Sequence, residues 1–166
     1  MNNEEKNTFS LFQNSTSGIT ILYPSNWTNL ERSGNVSFAV SSPQGSHFSI
    51  IVDKLFGDTL EDHSGKYIQS KNNSLSHFLD VFPTPFEVIK MDKNYVLSGS
   101  PAHKLIYKYP CFPDLATCTV LDIWTINNDK VFHVIYQTPV TLDLESDISL
   151  PIVEKMIKSF KIDLEK

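Results

Sequence analysis

Acidic and imidazole side chains crowd one short stretch of the chain, where Asp58, Glu61, Asp62 and His63 stand close together. Carboxylate oxygens and an imidazole at that spacing can hold a divalent ion. The same residues also suit the first turn of a helix, where carboxylates complement the dipole and His63 packs inward. A second acidic run, Asp143, Glu145 and Asp147 followed by Glu154, has the spacing of calcium-loop positions 1, 3, 5 and 12. Position 6 of that loop would be Ile148 and position 9 Pro151, so the required glycine turn is missing. This run reads as a solvated acidic lead-in to a helix.

Nucleophilic chemistry needs a nucleophile, a base and an orienting acid. Ser98 and Ser100 flank Gly99, but the G-x-S-x-G elbow is absent. The histidines, His47, His63, His77, His103 and His133, fall in different elements and form no H-x-x-x-H ligand pair. His133 sits inside a strand run and reads as a satisfied sheet residue. With 19 serines in the chain, a Ser–His–Asp combination can always be drawn and carries no information. No catalytic residue is assigned, an enzyme is not expected, and the one cofactor in view is a divalent metal on Asp58, Glu61, Asp62 and His63.

Cys111 and Cys118 are the two cysteines, set in Tyr-Pro-Cys-Phe-Pro-Asp-Leu-Ala-Thr-Cys-Thr over 109–119. Strand-like sequence on both sides places them at the mouth of a hairpin, within reach of a disulfide. Two unrelated buried thiols are the alternative. A bridge would imply an oxidising compartment. The sequons at Asn14, Asn26, Asn35 and Asn72 point the same way. Pro110 and Pro113 should stop the ladder and leave a projecting loop with Phe112 and Leu115 near its tip.

These residues need elements to position them. Strand patterns occur at Thr8 to Gln13 and Gly18 to Tyr23, a hairpin, and at Val36 to Val40 and Phe48 to Val52. Trp27, after the Pro24 strand stop, can fold back over the sheet edge. At Thr59 the period becomes helical: Thr59 caps, and Leu60, His63, Tyr67 and Ile68 share one face. An apolar cluster of Leu75, Phe78, Leu79 and Phe82 follows, ended by Pro83 and Pro85. Strands resume as two short runs, Phe86 to Lys90 and Tyr95 to Leu97, then Ala102 to Tyr109, Thr119 to Ile126 and Val131 to Thr138. Asn127-Asn128-Asp129 supplies a tight turn between the last two. The final helix carries Ile152, Val153, Met156, Ile157 and Phe160 on one stripe, with Pro151 in its first turn.

The 166 residues fit one domain, with 1–7 as a disordered N-terminal tail and 8–166 as the folded unit. A formal net charge of −5 and a single arginine, Arg32, argue against nucleic acid and anionic membrane surfaces as partners. No run reaches the roughly 18 apolar residues of a membrane span. The polar start lacks a signal core, so an exported protein would be represented by its mature or truncated domain, with an upstream membrane anchor compatible. The fold class is α+β, a largely antiparallel sheet with helices packed on it.

Three segments, in order, carry a family resemblance. Gly-Ile-Thr-Ile-Leu-Tyr-Pro-Ser-Asn-Trp at 18–27 resembles an early "G-φ-x-φ-x-Y-P-x-x-W" strand and wedge. Gly99-Ser100-Pro101-Ala102 running into Leu105 and Tyr107 resembles "G-x-P-A-x-x-φ-x-Y". Met156-Ile157-Lys158-Ser159-Phe160-Lys161-Ile162 resembles the ending "M-φ-x-S-F-x-φ". The chain thus resembles the PsbP-like superfamily, which also holds the Ran-binding Mog protein and bacterial and archaeal lipoproteins. The resemblance implies an α/β/α sandwich around a central antiparallel sheet and no shared enzyme activity. Taken with the cysteine pair and the sequons, it points to a non-enzymatic extracytoplasmic or secreted accessory module of archaeal or bacterial type that contacts a protein partner or surface complex, and a monomer is expected. The alternative is a small-molecule or divalent-metal-binding lipoprotein-type domain. The short N-terminus departs from the photosynthetic members, which bind a membrane complex near calcium, manganese and chloride.

Overall fold

Alternating apolar and polar residues set most of the chain into antiparallel ladders, seen here in a computed structural model. It describes residues 8–76, 86–111, 116–139 and 143–163, with backbone alone at 73–76, 111 and 116. The expected tail at 1–7, the apolar residues Phe78, Leu79 and Phe82, and the tip residues Phe112 and Leu115 lie outside the described residues, as does the side chain of Leu75.

In chain order the elements are β1 (Phe9–Asn14), β2 (Ile19–Pro24), β3 (Thr28–Asn29), β4 (Val36–Ser41), β5 (His47–Lys54) and α1 (Leu60–Ser76). They continue as β6 (Glu87–Leu97), β7 (Ser100–Cys111), β8 (Ala116–Asn127), β9 (Lys130–Gln137), a 3-10 turn at Leu144–Ser146, α2 (Leu150–Ser159) and β10 (Lys161–Ile162). Strands β3-β4-β5-β9-β8-β7-β6 form one seven-stranded sheet, and β1-β2-β10 a three-stranded one. Every pairing is antiparallel. A mostly antiparallel α+β fold with two helices is therefore what the periodicity led us to expect.

Local chemistry explains the turns. Asn128 and Asp129 both take positive φ, 47° and 62°, and Asn127 pairs with Lys130, which makes the two-residue primed turn that suits strand twist. Ser98 and Gly99 do the same between β6 and β7, at 51° and 76°. Thr59 Oγ1 accepts the Asp62 N–H at 3.1 Å, the helix cap expected of it.

The large sheet buries a different cluster on each face. On one, Phe38, Phe48, Ile50, Ile123, Val134 and Tyr136 meet Ile19 and Ile21 of β2 and Val153, Met156 and Phe160 of α2. Trp27 is buried in that cluster, so the wedge folds back as expected. On the other, Leu105, Tyr107, Val120, Trp124 and Val131 meet Leu60, Tyr67 and Ile68 of α1.

Two expectations need correction. The runs at Phe86–Lys90 and Tyr95–Leu97 are one strand, β6, because bulges between Val88 and Lys90 and between Asp92 and Tyr95 absorb the residues that broke the alternation. Pro110 does not stop the ladder: it pairs with Thr117, and the ladder reaches Cys111 opposite Ala116. Strand β6 begins opposite Lys108, so among the described residues β7 beyond it has a partner on one side alone, and a proline nitrogen facing the other side removes no described ladder bond. The two-residue β10 was not anticipated. No described helix is long and apolar enough to cross a membrane.

Candidate functional site

Helix α1 meets the sheet through polar groups, which is unusual for a buried face and locates the chemistry. His63, Tyr67 and Lys71 recur every four residues and so project from one side of α1, with Ser64 beside them. Beneath them, register aligns His103 of β7, Trp124 of β8 and His133 of β9 in one cross-strand row, and Asp122 points to the same face two residues before Trp124. His63, Ser64, His103, Asp122, Trp124 and His133 are all buried.

The hydrogen bonds assign their own protons. The Phe56 backbone N–H points at His63 Nδ1 at 3.1 Å, so that nitrogen is an acceptor and His63 carries its proton on Nε2. His63 Nε2 lies 3.1 Å from His133 Nε2, which must then accept. His133 Nδ1 in turn donates to Asp122 Oδ1 at 2.9 Å, and Tyr67 donates its hydroxyl to Asp122 Oδ2 at 2.5 Å. The chain runs in one direction from a loop amide to a buried carboxylate. Burial, reinforced by the neighbouring His133, pulls His63 down to about 4, against support from Asp122 and Asp53. Burial and the Asp122 carboxylate push Tyr67 well up.

A second branch centres on Ser64. Its hydroxyl donates to the Leu60 carbonyl at 2.8 Å and accepts the Trp124 indole N–H at 2.8 Å. With its single proton committed, Ser64 can only accept from His103 Nδ1, 2.6 Å away. His103 Nε2 faces Glu61 Oε2 at 3.9 Å. Serine, histidine and glutamate thus stand in line, but His103 presents a donor to Ser64 rather than a base, and Ser64 is 2% exposed. A nucleophile cannot be activated in that arrangement.

Beside the network, α1, β4, β5 and β9 border an open-sided cavity of about 510 Å³, lined by Val36, Ile51, Phe56, His63, Lys71 and Ile135 among others. Phe56 stacks on His63 at 5.4 Å between centroids, and Tyr67 stacks on His63 at 5.8 Å. The Lys71 ammonium lies over the rings of Tyr67, Tyr107 and Tyr109, at 5.0, 5.1 and 5.4 Å. A larger groove of about 600 Å³ near Arg32, Lys54 and Lys130 is walled by exposed and half-buried side chains, adjoins the first cavity at Asn35, Val36 and Asp53, and includes none of the network.

The residues singled out in the sequence are dispersed. Glu61 turns outward to pair with Lys93, Asp62 accepts the Asp58 N–H, and His63 turns inward. Among the described residues no group of three or more His, Cys, Asp or Glu is placed to hold a metal ion. At the paired histidines, a metal on His63 Nε2 would require a proton on Nδ1, where the Phe56 N–H already points. The reading of Asp147 as part of a solvated lead-in is overturned. It is buried, takes the Tyr136 hydroxyl on Oδ2 and accepts the Ser149 N–H at 2.9 Å on Oδ1, fixing the start of α2. Asp143 and Glu145 stay at the surface beside a separate cavity. Cys118 is buried opposite Tyr109, and Cys111 lies opposite Ala116, two register positions away.

Asp122, Ser64, His103, Trp124 and Lys71 were not recognised as parts of one site. The signal was present in Asp122, a carboxylate at an inward position between Val120 and Trp124, because a buried charge requires partners.

No family model and no curated protein matches the sequence. Solved structures do match. The solution structure of cyanobacterial PsbP (CyanoP) from Synechocystis sp. PCC 6803 aligns with 98% of this chain and 96% of its own, at 15% identity and a TM-score of 0.68. LpqN, described as involved in cell envelope biogenesis of Mycobacterium tuberculosis, aligns over 95% and 91% at 17% identity and a TM-score of 0.53. A Pseudomonas aeruginosa protein of unknown function, described as a putative regulator, aligns over 89% and 92% at 18% identity and a TM-score of 0.50. At these identities the likeness speaks for the fold alone, and the chain has a PsbP-like fold.

Proposed function

We propose that the chain is a non-enzymatic accessory module of PsbP-like type that works outside the cytoplasm and contacts a protein partner or surface complex. The observation behind this reading is the closed network under α1. The donors and acceptors from Phe56 to Asp122 engage one another and lock the helix, and the buried Ser64, its proton held by the Leu60 carbonyl, is not an activated nucleophile. The likeness to CyanoP over nearly the whole chain supports the accessory role, and that to LpqN supports the envelope setting. The layers, α1 on one face and α2 with the small sheet on the other, support a sandwich, and a single monomeric domain over 8–166 belongs to the same reading. A Cys111–Cys118 bridge belongs to the same reading, since adjacent strands bring the two positions close in register. Crosslinking in the native cell envelope followed by capture of the tagged chain tests it. Reciprocal recovery of one partner is expected, and repeated recovery of none would contradict it.

A small-molecule or divalent-metal-binding domain of lipoprotein type is the second reading, favoured by the cavity beside His63, whose size suits a small ligand. Calorimetry of metal-free protein with Ca²⁺, Mn²⁺, Zn²⁺ and Cu²⁺ tests the metal half. Flat titrations would reject it.

A further inference from the structure

We infer that the cavity between α1 and strands β4, β5 and β9 is a binding site for a small organic monocarboxylate, held through Lys71 with its apolar body against Val36, Ile51 and Ile135. This deepens the small-molecule reading, on which it rests, and is independent of any protein partner.

The inference follows from which lining groups still have hydrogen-bonding capacity. His63 and His133 have both ring nitrogens engaged, and the Tyr67 hydroxyl is committed to Asp122. Among the described residues, the lining side chains of Lys71 and Asn35 keep donors that no hydrogen bond engages, and no carboxylate comes within ion-pair distance of Lys71. A lysine ammonium has three donors and no acceptor. Ring faces attract it but satisfy none of those donors. Burial pulls Lys71 down, with Asp122 giving long-range support, so an anion arriving in the cavity gains a partly desolvated cation.

The walls define the rest of the ligand. Val36, Ile51 and Ile135 are part-buried apolar surfaces, and the Phe56 ring stands half-exposed in the lining, stacked on His63. About 510 Å³ falls in the range of small-molecule sites. Asp53 lines the same space, which disfavours a second negative charge and selects one carboxylate over a dicarboxylate or phosphate.

The test titrates the whole chain with benzoate and with its neutral isostere benzamide, followed by calorimetry and by the NMR shifts of His63 and Tyr67. Benzoate should saturate and bind about ten- to a hundredfold more tightly than benzamide, the advantage of a charge-assisted contact. Lys71→Met should abolish that preference, while Lys71→Arg keeps it. The wild-type comparison needs no variant, so it stands even where Lys71→Met fails to fold. Benzamide binding as well as benzoate, or Lys71→Met retaining the preference, overturns the carboxylate assignment but leaves a small-molecule site. Flat titrations with both ligands overturn the assignment and the small-molecule reading together.

Discussion

Lowering the pH from 7 to 5 should destabilise the protein through His63. The imidazole is 1% exposed and accepts the Phe56 N–H, so the folded state holds it neutral, with a value of about 4 against 6.5 when unfolded. A basic group depressed in the fold contributes fully above the unfolded value, and its contribution is lost as pH falls from 6.5 toward 4. Linkage gives a loss of about 2 kcal/mol between pH 7 and pH 5, growing to about 3 kcal/mol at pH 4. The groups facing His63 are His133 of β9, Asp122 of β8, Tyr67 of α1 and Asp53 of β5. The two carboxylates favour its protonation and are outweighed by burial and His133. His103, also pulled down by burial, acts in the same direction. Urea unfolding at the two pH values reads the effect directly, and a melt should drop by roughly 4–8 °C. His63→Asn keeps an oxygen acceptor for Phe56 but cannot titrate, so its loss over the same interval should be smaller by about 2 kcal/mol. Equal losses in wild type and variant, or a wild type unaffected by pH over this interval, would refute the reasoning.

Other substitutions probe the remaining buried contacts. Asp122→Asn takes the charge from a fully buried carboxylate and confronts His133 and Tyr67 with a group that cannot accept from both as before, at about 3 kcal/mol in urea unfolding. Tyr136→Phe leaves Asp147 without its hydroxyl donor and should lower stability by about 1–2 kcal/mol, with α2 the first element to lose hydrogen-exchange protection. Reducing a Cys111–Cys118 bridge should remove on the order of 2.5 kcal/mol. Mass spectrometry showing two alkylatable thiols in freshly purified, unreduced protein would refute that bridge.

The fold was largely legible because its signals are local. Alternation at Val36–Val40 and Phe48–Val52, the Asn128-Asp129 turn, the Thr59 cap and the Val153–Met156–Phe160 stripe each act within a few residues. Where a non-local fact decided the outcome, the reading failed. The continuity of β6 depends on bulges against β7, and the tolerance of Pro110 depends on where β6 begins. The site was less legible for the same reason. His63, His103 and His133 come from α1, β7 and β9, and cross-strand register with the docking of α1 brings them together. Sequence spacing drew attention to Asp58, Glu61 and Asp62, which face outward, and passed over Asp122, which holds the network. An inward carboxylate in a strand of Val, Leu, Ile and Trp was the better guide.

The direction of the hydrogen-bond chain from Phe56 to Asp122 decides whether the histidines under α1 are closed, and long-range ¹H–¹⁵N NMR of the imidazoles at neutral pH measures it. His63 should carry its proton on Nε2 with Nδ1 bare, and His133 should carry its proton on Nδ1 with Nε2 bare. A proton on His63 Nδ1, or a rapid exchange of tautomers at His133, would contradict the closed network and reopen those histidines to metal or acid–base chemistry.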